Sequence, residues 1–342
     1  MFFGYLAENT ENQGFETMNQ KELLDLADDI IAGNIPDTEQ YKIIANIPEH
    51  DAFTLLPGAD MIRNSHFGRE IHLCTICNGK SGKCSEDCKF CSQSVFAETD
   101  APVYPLMEKS ELQKSGLYAS ETPISRYSIV TTGKRLPEKE VAAIAEAMAE
   151  LDSKKIGKCA SLGVLDPEDF EVLKKAGITR YHHNLETAES FFDQICTTHT
   201  YHERVDTIKT AKAAGLTICS GGVFGLGESD GQVLEMAMTL RELEVEAVPL
   251  NFLVPIRGTA KENSYELTPL RCLKIISMFR YVLPDRDIFV CGGREANLKE
   301  LHPLIFHAGA NGIMTGNYLT TIGRKLEDDL SLLDQLQFSV RG

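Results

Sequence analysis

The chain contains no tryptophan, and its 34 Lys and Arg are outnumbered by 50 Asp and Glu. The resulting formal charge of -16 is a poor start for a sequence-independent grip on nucleic acid or anionic lipid, since both depend on neutralising phosphate with cations. No apolar run approaches the roughly 18 to 20 residues needed to span a bilayer. The opening stretch MFFGYLAENTENQGFETMNQ lacks a basic segment, a sustained apolar run and a small-residue cleavage pattern, so it does not read as a secretory signal. These absences predict a cytoplasmic protein without nucleic acid or membrane as partner. What is present is a globular composition, 43% hydrophobic and 25% charged over 342 residues, enough to bury a sizeable core. Ten cysteines are too sparse for a disulfide-stapled miniprotein, and where thiols stay reduced they point to metal or redox chemistry.

Helical periodicity in LLDLADDIIAG, and again from Ala52 through MIRNSHFG, predicts a helical N-terminal extension over residues 1–68, broken at Pro36, Pro48 and Pro57. From Arg69 onward eight short β-rich runs follow: IHLCTIC, RYSIVTT, IGKCASLG, ITRYHHN, LTICSGG, EAVPLNFLV, DIFVCGG and NGIMTG. Helix-like segments separate them, among them KEVAAIAEAMAELDS, HERVDTIKTAKAAG and LKELHPLIFHAG, and several end in a Gly suited to a helix C-terminus. Eight strand-then-helix units predict an α/β fold, a closed (β/α)8 TIM-type barrel over 69–325, with 326–342 as a C-terminal helix and tail. An open doubly wound sheet is the alternative, but no strand leads into G-x-G-x-x-G, and GLGESDG is only a partial match.

The most specific feature is Cys84-Ser-Glu-Asp-Cys88-Lys-Phe90-Cys91, a C-x3-C-x2-C set on the loop after the first strand. Three thiolates so spaced can hold three irons of a cubane cluster and leave the fourth open to a cofactor. A structural zinc site would close with a fourth Cys or His, and Cys77 is the nearest candidate.

C-x3-C-x-aromatic-C resembles the signature of the radical S-adenosylmethionine enzymes. Together with YHHNLET, TTHTYHERVDTIKTAKAAGLTICSGGVFGLGE, VPLNFLVPIRGT and AGANGIMTGNYLTT, in that order over residues 70–322, the chain resembles the biotin synthase family. The resemblance implies an enzyme in which a 5'-deoxyadenosyl radical abstracts hydrogen from dethiobiotin and a second iron-sulphur cluster supplies sulphur, giving biotin. It implies a 4Fe-4S cluster on Cys84, Cys88 and Cys91, with S-adenosylmethionine bound at its open iron. Asn184 and Glu186 would lie at cofactor and substrate, and Arg204 would pair with the cofactor carboxylate. Asn251 would hydrogen-bond the cyclic urea of dethiobiotin, and Thr320 and Thr321 would receive its carboxylate. An electron donor such as flavodoxin or ferredoxin is implied, and a homodimer is left open.

Two ligands of the family's familiar auxiliary cluster are missing. Its first cysteine position is here Ser128 and its arginine position is Phe289, while Cys159 and Cys219 remain. Cys291 lies two residues beyond Phe289 and therefore on the same side of its strand, and Cys74 faces the arginine's neighbourhood in the familiar form. Cys74, Cys159, Cys219 and Cys291 are the expected ligands of an auxiliary 4Fe-type cluster, which resembles the family's type II subgroup. Cys77, three residues from Cys74, faces the other side of a regular strand and would replace it only across a bulge. Cys196 and Cys272 fall in helix-like stretches and read as structural. His182 stands where the familiar form has an Asn. The rival readings are a barrel relative acting on another small substrate, of the methylornithine synthase or hydrogenase-maturation kind, and a non-catalytic cluster or zinc sensor.

Overall fold

The run AVPLNF buries residues on both faces, the pattern of a parallel strand covered by helices on one side and filled from the other. The structure, a computed structural model, describes residues 18–152 and 154–341, so most of the opening stretch read for a signal lies outside the described residues. Nine strands form the barrel: β1 (Glu70–Lys80), β2 (Arg126–Thr131), β3 (Gly157–Ser161), β4 (Arg180–His182), β5 (Thr217–Cys219), β6 (Gly222–Phe224), β7 (Ala247–Phe252), β8 (Asp287–Val290) and β9 (Gly312–Met314). Every neighbouring pair is parallel, and β9 returns to β1 from His72↔Gly312 to Cys74↔Met314, closing the sheet. The closed parallel barrel is the (β/α)8 TIM-type fold.

LTICSGG, expected as one strand, is two short ones, β5 and β6, that share a stave of the barrel. Close backbone packing explains the break. A Cβ on Gly221 would stand 2.0 Å from the Pro249 carbonyl oxygen, and one on Gly222 would stand 2.3 Å from that of Glu186. LKELHPLIFHAG is not one helix either. A short helix, Arg294–Leu298, ends as Lys299 turns to φ 50°, and a 3-10 segment continues to Ile305 around Pro303, which has no N–H to donate.

The helices Gln20–Ile31 and Thr38–Asn46 open with reciprocal side-chain caps, Asn19 with Glu22 and Asp37 with Gln40. Their buried faces, with that of the helix Leu56–Phe67, join the same apolar core as the helices around the barrel. In the tail, the helix Leu326–Gln335 is followed by a strand, β10 (Ser339–Val340), which pairs with Glu70 and Ile71 at the foot of β1. Among the described residues no helix is long and apolar enough to cross a membrane.

The tail helix is pinned to the barrel by charge. Arg294, just past β8, meets Asp329 at 2.6 Å and His302 at 2.7 Å, and both Arg294 and Asp329 are completely buried. Burial, with Arg294 and Arg324 adjoining, pushes His302 down to about 3, so its Nε2 is free to accept from Arg294. Removing one partner leaves a buried charge without its counterion. Asp329→Ala is therefore expected to cost about 3–5 kcal/mol of stability, measured by denaturant unfolding.

Candidate active site

The chemistry gathers at the C-terminal ends of the barrel strands, where loops and strand ends meet. After β1 the chain doubles back on itself: the Cys84 amide donates to Gln93 O at 2.9 Å, and Val95 N donates to Cys84 O at 2.9 Å. A tight turn, Cys91 N to Cys88 O at 2.9 Å, sets the last two thiols. Cys84, Cys88 and Cys91 line one cavity of about 180 Å³ with Asn184, Glu186 and Arg204. Burial pushes the Cys91 thiol up to about 11, so it is neutral until a metal takes it as thiolate.

Cys77 does not complete this set. It packs in the apolar core beside Tyr127, on the outer side of β1. Among the described residues the metal-competent group is instead Cys88, Cys196 and His199, with ligand atoms within 4.8 Å of one another. Cys196 lies 3.7 Å from the sulphur of Cys88 and 3.3 Å from His199 Nδ1, which corrects its reading as a structural thiol without partners. A zinc ion gains little from the group, because both ring nitrogens of His199 are engaged: Nδ1 with Glu86 at 2.6 Å and Nε2 with Arg204 at 3.0 Å. Three thiols of cluster spacing at a cavity wall fit an iron-sulphur cluster with one open iron better than a closed zinc site.

A second cavity, about 370 Å³, occupies the barrel interior and shares Cys91, His182, Asn184 and Glu186 with the first. Cys74, Cys159, Cys219 and Cys291 all line it, brought from β1, β3, β5 and the end of β8. The Cys291 thiol beside it, with burial, pushes the Cys74 thiol well up. Cys219 is raised by burial, and His182 Nδ1 lies 3.4 Å from its sulphur. Arg126 Nη1 stands 3.7 Å from the Cys159 sulphur, and Arg180 lines the same wall. The wall thus combines four soft donors with two guanidinium groups that offset thiolate charge, which suits an anionic iron-sulphur cluster. Ser128, paired across the strands with Cys159, has a buried hydroxyl without a hydrogen-bond partner among the described residues. The Phe289 ring packs over Gly312, whose Cβ, if present, would meet it at 2.5 Å.

Polar groups are clamped around the same cavity. Asn251 accepts from Gly292 N at 3.0 Å and donates to Gly222 O at 3.1 Å, which leaves its amide one donor and one acceptor position free. Thr320 and Thr321 reach the cavity on the loop after β9, with Ser92 donating to Thr320 at 3.0 Å. Glu186 sits at φ 70°, a left-handed conformation held by its bridge to Gly222. Burial raises its carboxyl, against the pull of Arg204 3.5 Å away. Burial also pushes His182 down to about 4, so the ring is neutral near pH 7.

Residues 80–240 match the model of the radical SAM superfamily, and residues 249–339 match that of the biotin and thiamin synthesis associated domain. A curated biotin synthase from Desulfatibacillum aliphaticivorans is 53% identical over 319 residues, 93% of this chain and 97% of that protein. The chain belongs to the biotin synthase family. A second biotin synthase, from Geobacter metallireducens, is 46% identical over 94% of this chain and 98% of its own length. As a member of this family the protein is a sulphur-inserting radical S-adenosylmethionine enzyme. Its cofactors are 4Fe-4S chemistry and S-adenosylmethionine, and an auxiliary cluster is typical of biotin synthases.

Among solved structures, that of methylornithine synthase superposes with a TM-score of 0.80 at 19% identity, covering 93% of this chain and 97% of that one. The FeFe-hydrogenase maturase HydG from Carboxydothermus hydrogenoformans gives 0.75 at 16% identity, over 94% and 79%. At such identities these likenesses show the fold alone. The long sequence match sets the chain with the biotin synthases rather than with these barrel relatives.

Sequence reasoning named neither Arg126 nor Arg180. Both lie two residues before positions it did weigh, Ser128 and His182, and so on the same strand faces. The period-two step that led from Phe289 to Cys291 would have found them. Glu86 and His199 carried no local signal, since their contact spans 113 residues of chain.

Proposed function

We propose that the chain converts dethiobiotin to biotin with two clusters held in two adjoining cavities at the barrel. Cys84, Cys88 and Cys91 would hold the 4Fe-4S cluster, and Cys74, Cys159, Cys219 and Cys291 a 4Fe-type auxiliary cluster like that of the type II subgroup. The observation that carries this reading is the convergence of three thiols and four thiols on two adjoining cavities that share Cys91, Asn184 and Glu186. When bound, the first cluster with S-adenosylmethionine supplies a 5'-deoxyadenosyl radical and the second supplies sulphur.

The protein's own part is binding, orientation and exclusion of water. Arg204 offers a planar fork to the carboxylate of S-adenosylmethionine, and the half-buried Glu186 carboxylate suits a ribose diol. Asn184 accepts from Gly221 N at 3.1 Å and contacts Glu186, fixing both side chains over the cavity. The free donor and acceptor of Asn251 match the N–H and C=O of the cyclic urea, and the hydroxyls of Thr320 and Thr321 can donate to the substrate carboxylate. Neutral His182 turns one nitrogen to Cys219 and lines the cavity where the familiar form carries an Asn. The electron comes from an external donor such as flavodoxin or ferredoxin.

Anaerobic purification followed by iron, sulphide and zinc analysis tests the reading, alongside biotin formation from dethiobiotin and S-adenosylmethionine. About eight irons per chain are expected for two clusters of four. About four would remove the auxiliary cluster, and zinc alone would overturn the assignment.

A further inference from the structure

Within the cluster loop, between Cys84 and Cys88, the Glu86 side chain is buried and hydrogen-bonded to a distant part of the chain. One carboxylate oxygen takes the Ser85 hydroxyl at 2.8 Å, and the other takes the Thr198 hydroxyl at 2.8 Å and His199 Nδ1 at 2.6 Å. His199, also buried, precedes Thr200, the capping residue of the helix Tyr201–Ala213. Its Nε2 receives Nε of Arg204, one turn into that helix, at 3.0 Å. Arg204 then uses Nη1 on the Asn184 carbonyl at 2.9 Å and on Glu186 at 3.5 Å. Phe192 flanks both: its ring lies 5.8 Å from the guanidinium and edge-on to the imidazole at 5.7 Å.

The order of these groups dictates their protons. A carboxylate only accepts and a guanidinium only donates, so a neutral imidazole between them must carry its proton on Nδ1 and present a lone pair at Nε2. Glu86, at 2.6 Å the nearer of the two groups on Nδ1, with the Cys196 sulphur at 3.3 Å, therefore favours the one tautomer that can hold Arg204. Held at Nε and Nη1, the guanidinium keeps Nη2 free of protein partners among the described residues, at the wall of the cavity that the three thiols line. An arginine side chain carries about 2 kcal/mol of rotamer entropy, and fixing it beforehand lowers the cost of binding.

We infer that Glu86 and His199 are positioning residues, which aim Arg204 at the cofactor carboxylate and tie that aim to the loop bearing the cluster cysteines. The inference rests on the reading of Arg204 given above and assigns it two partners that edge the same cavity and act through the arginine.

Equilibrium dialysis of S-adenosylmethionine against the full, cluster-loaded chain tests it, with iron content and unfolding temperature measured in parallel. His199→Leu is expected to weaken binding about tenfold at unchanged iron content, the scale of one charge-assisted hydrogen bond. His199→Gln, whose amide can donate to Glu86 and accept from Arg204, is expected to recover wild-type affinity within about threefold. In an Arg204→Ala background His199→Leu should add no further loss, because it acts through the arginine. Binding by His199→Leu within about twofold of wild type would overturn the inference. So would a His199→Gln as weak as His199→Leu, or losses that multiply in the double variant. Should His199→Leu fail to load iron, His199→Asn, polar but too short to span Glu86 and Arg204, takes its place in the same cycle. Failure of the underlying reading has a separate signature, an Arg204→Ala chain that binds S-adenosylmethionine like wild type.

Discussion

Cys88→Ala is expected to abolish cleavage of S-adenosylmethionine, with 5'-deoxyadenosine falling to the level of a protein-free mixture and iron falling by about four per chain. A cubane held on three thiols has no ligand to spare: with two left, a second iron is exposed and the cluster is lost during purification. The structure adds one qualification to the design of the experiment. Cys196 lies 3.7 Å from the Cys88 sulphur and is the nearest thiol that can take its place. The double variant Cys88→Ala/Cys196→Ala closes that route. Continued production of 5'-deoxyadenosine by the double variant would refute the assignment of the radical-generating cluster to this loop.

Cys291→Ala is expected to separate the two halves of the reaction. Cleavage of S-adenosylmethionine should stay within about threefold of wild type, biotin formation should be lost, and iron should drop from about eight to about four per chain. The reason is spatial. Cys291 lines the inner cavity with Cys74, Cys159 and Cys219, whereas the cavity shared by Cys84, Cys88 and Cys91 does not include it. Cys77→Ala is the natural control. Its thiol packs against the outer core, so both product formation and iron content should persist, with only the modest stability loss of a small buried side chain. Biotin made at the wild-type rate by Cys291→Ala would remove that residue from the ligand set.

The barrel was legible because its signals are local. β-branched runs such as RYSIVT stand apart from amphipathic stretches closed by Gly, and the count of such units implies closure before any contact is known. The spacing Cys84, Cys88, Cys91 is local in the same sense. Cys291 was within reach because a strand repeats every second residue. What escaped depends on closure itself. Cys196 meets Cys88, and His199 meets Glu86, across more than a hundred residues, through loops whose approach is set by the barrel and by no short-range pattern. The break between β5 and β6 escaped for a related reason, since the carbonyls that crowd Gly221 and Gly222 belong to β7 and to the turn after β4.

Those two glycines bear on how such an active site can change over generations. On the proposed reading Ser128 and Phe289 stand where the familiar form has two metal ligands, and β2 and β8 lie in register beside β3 and β9. Side chains that point into the cavity can be exchanged, and with them the inorganic cargo, while the frame stays put. A single methyl at residue 221 or 222 has no such freedom, because it would force the strand end carrying Asn251 and the turn carrying Glu186 apart. On the proposed reading the sulphurs presented to the cavity can be exchanged, whereas the spacing between the cofactor and substrate residues rests on two missing side chains.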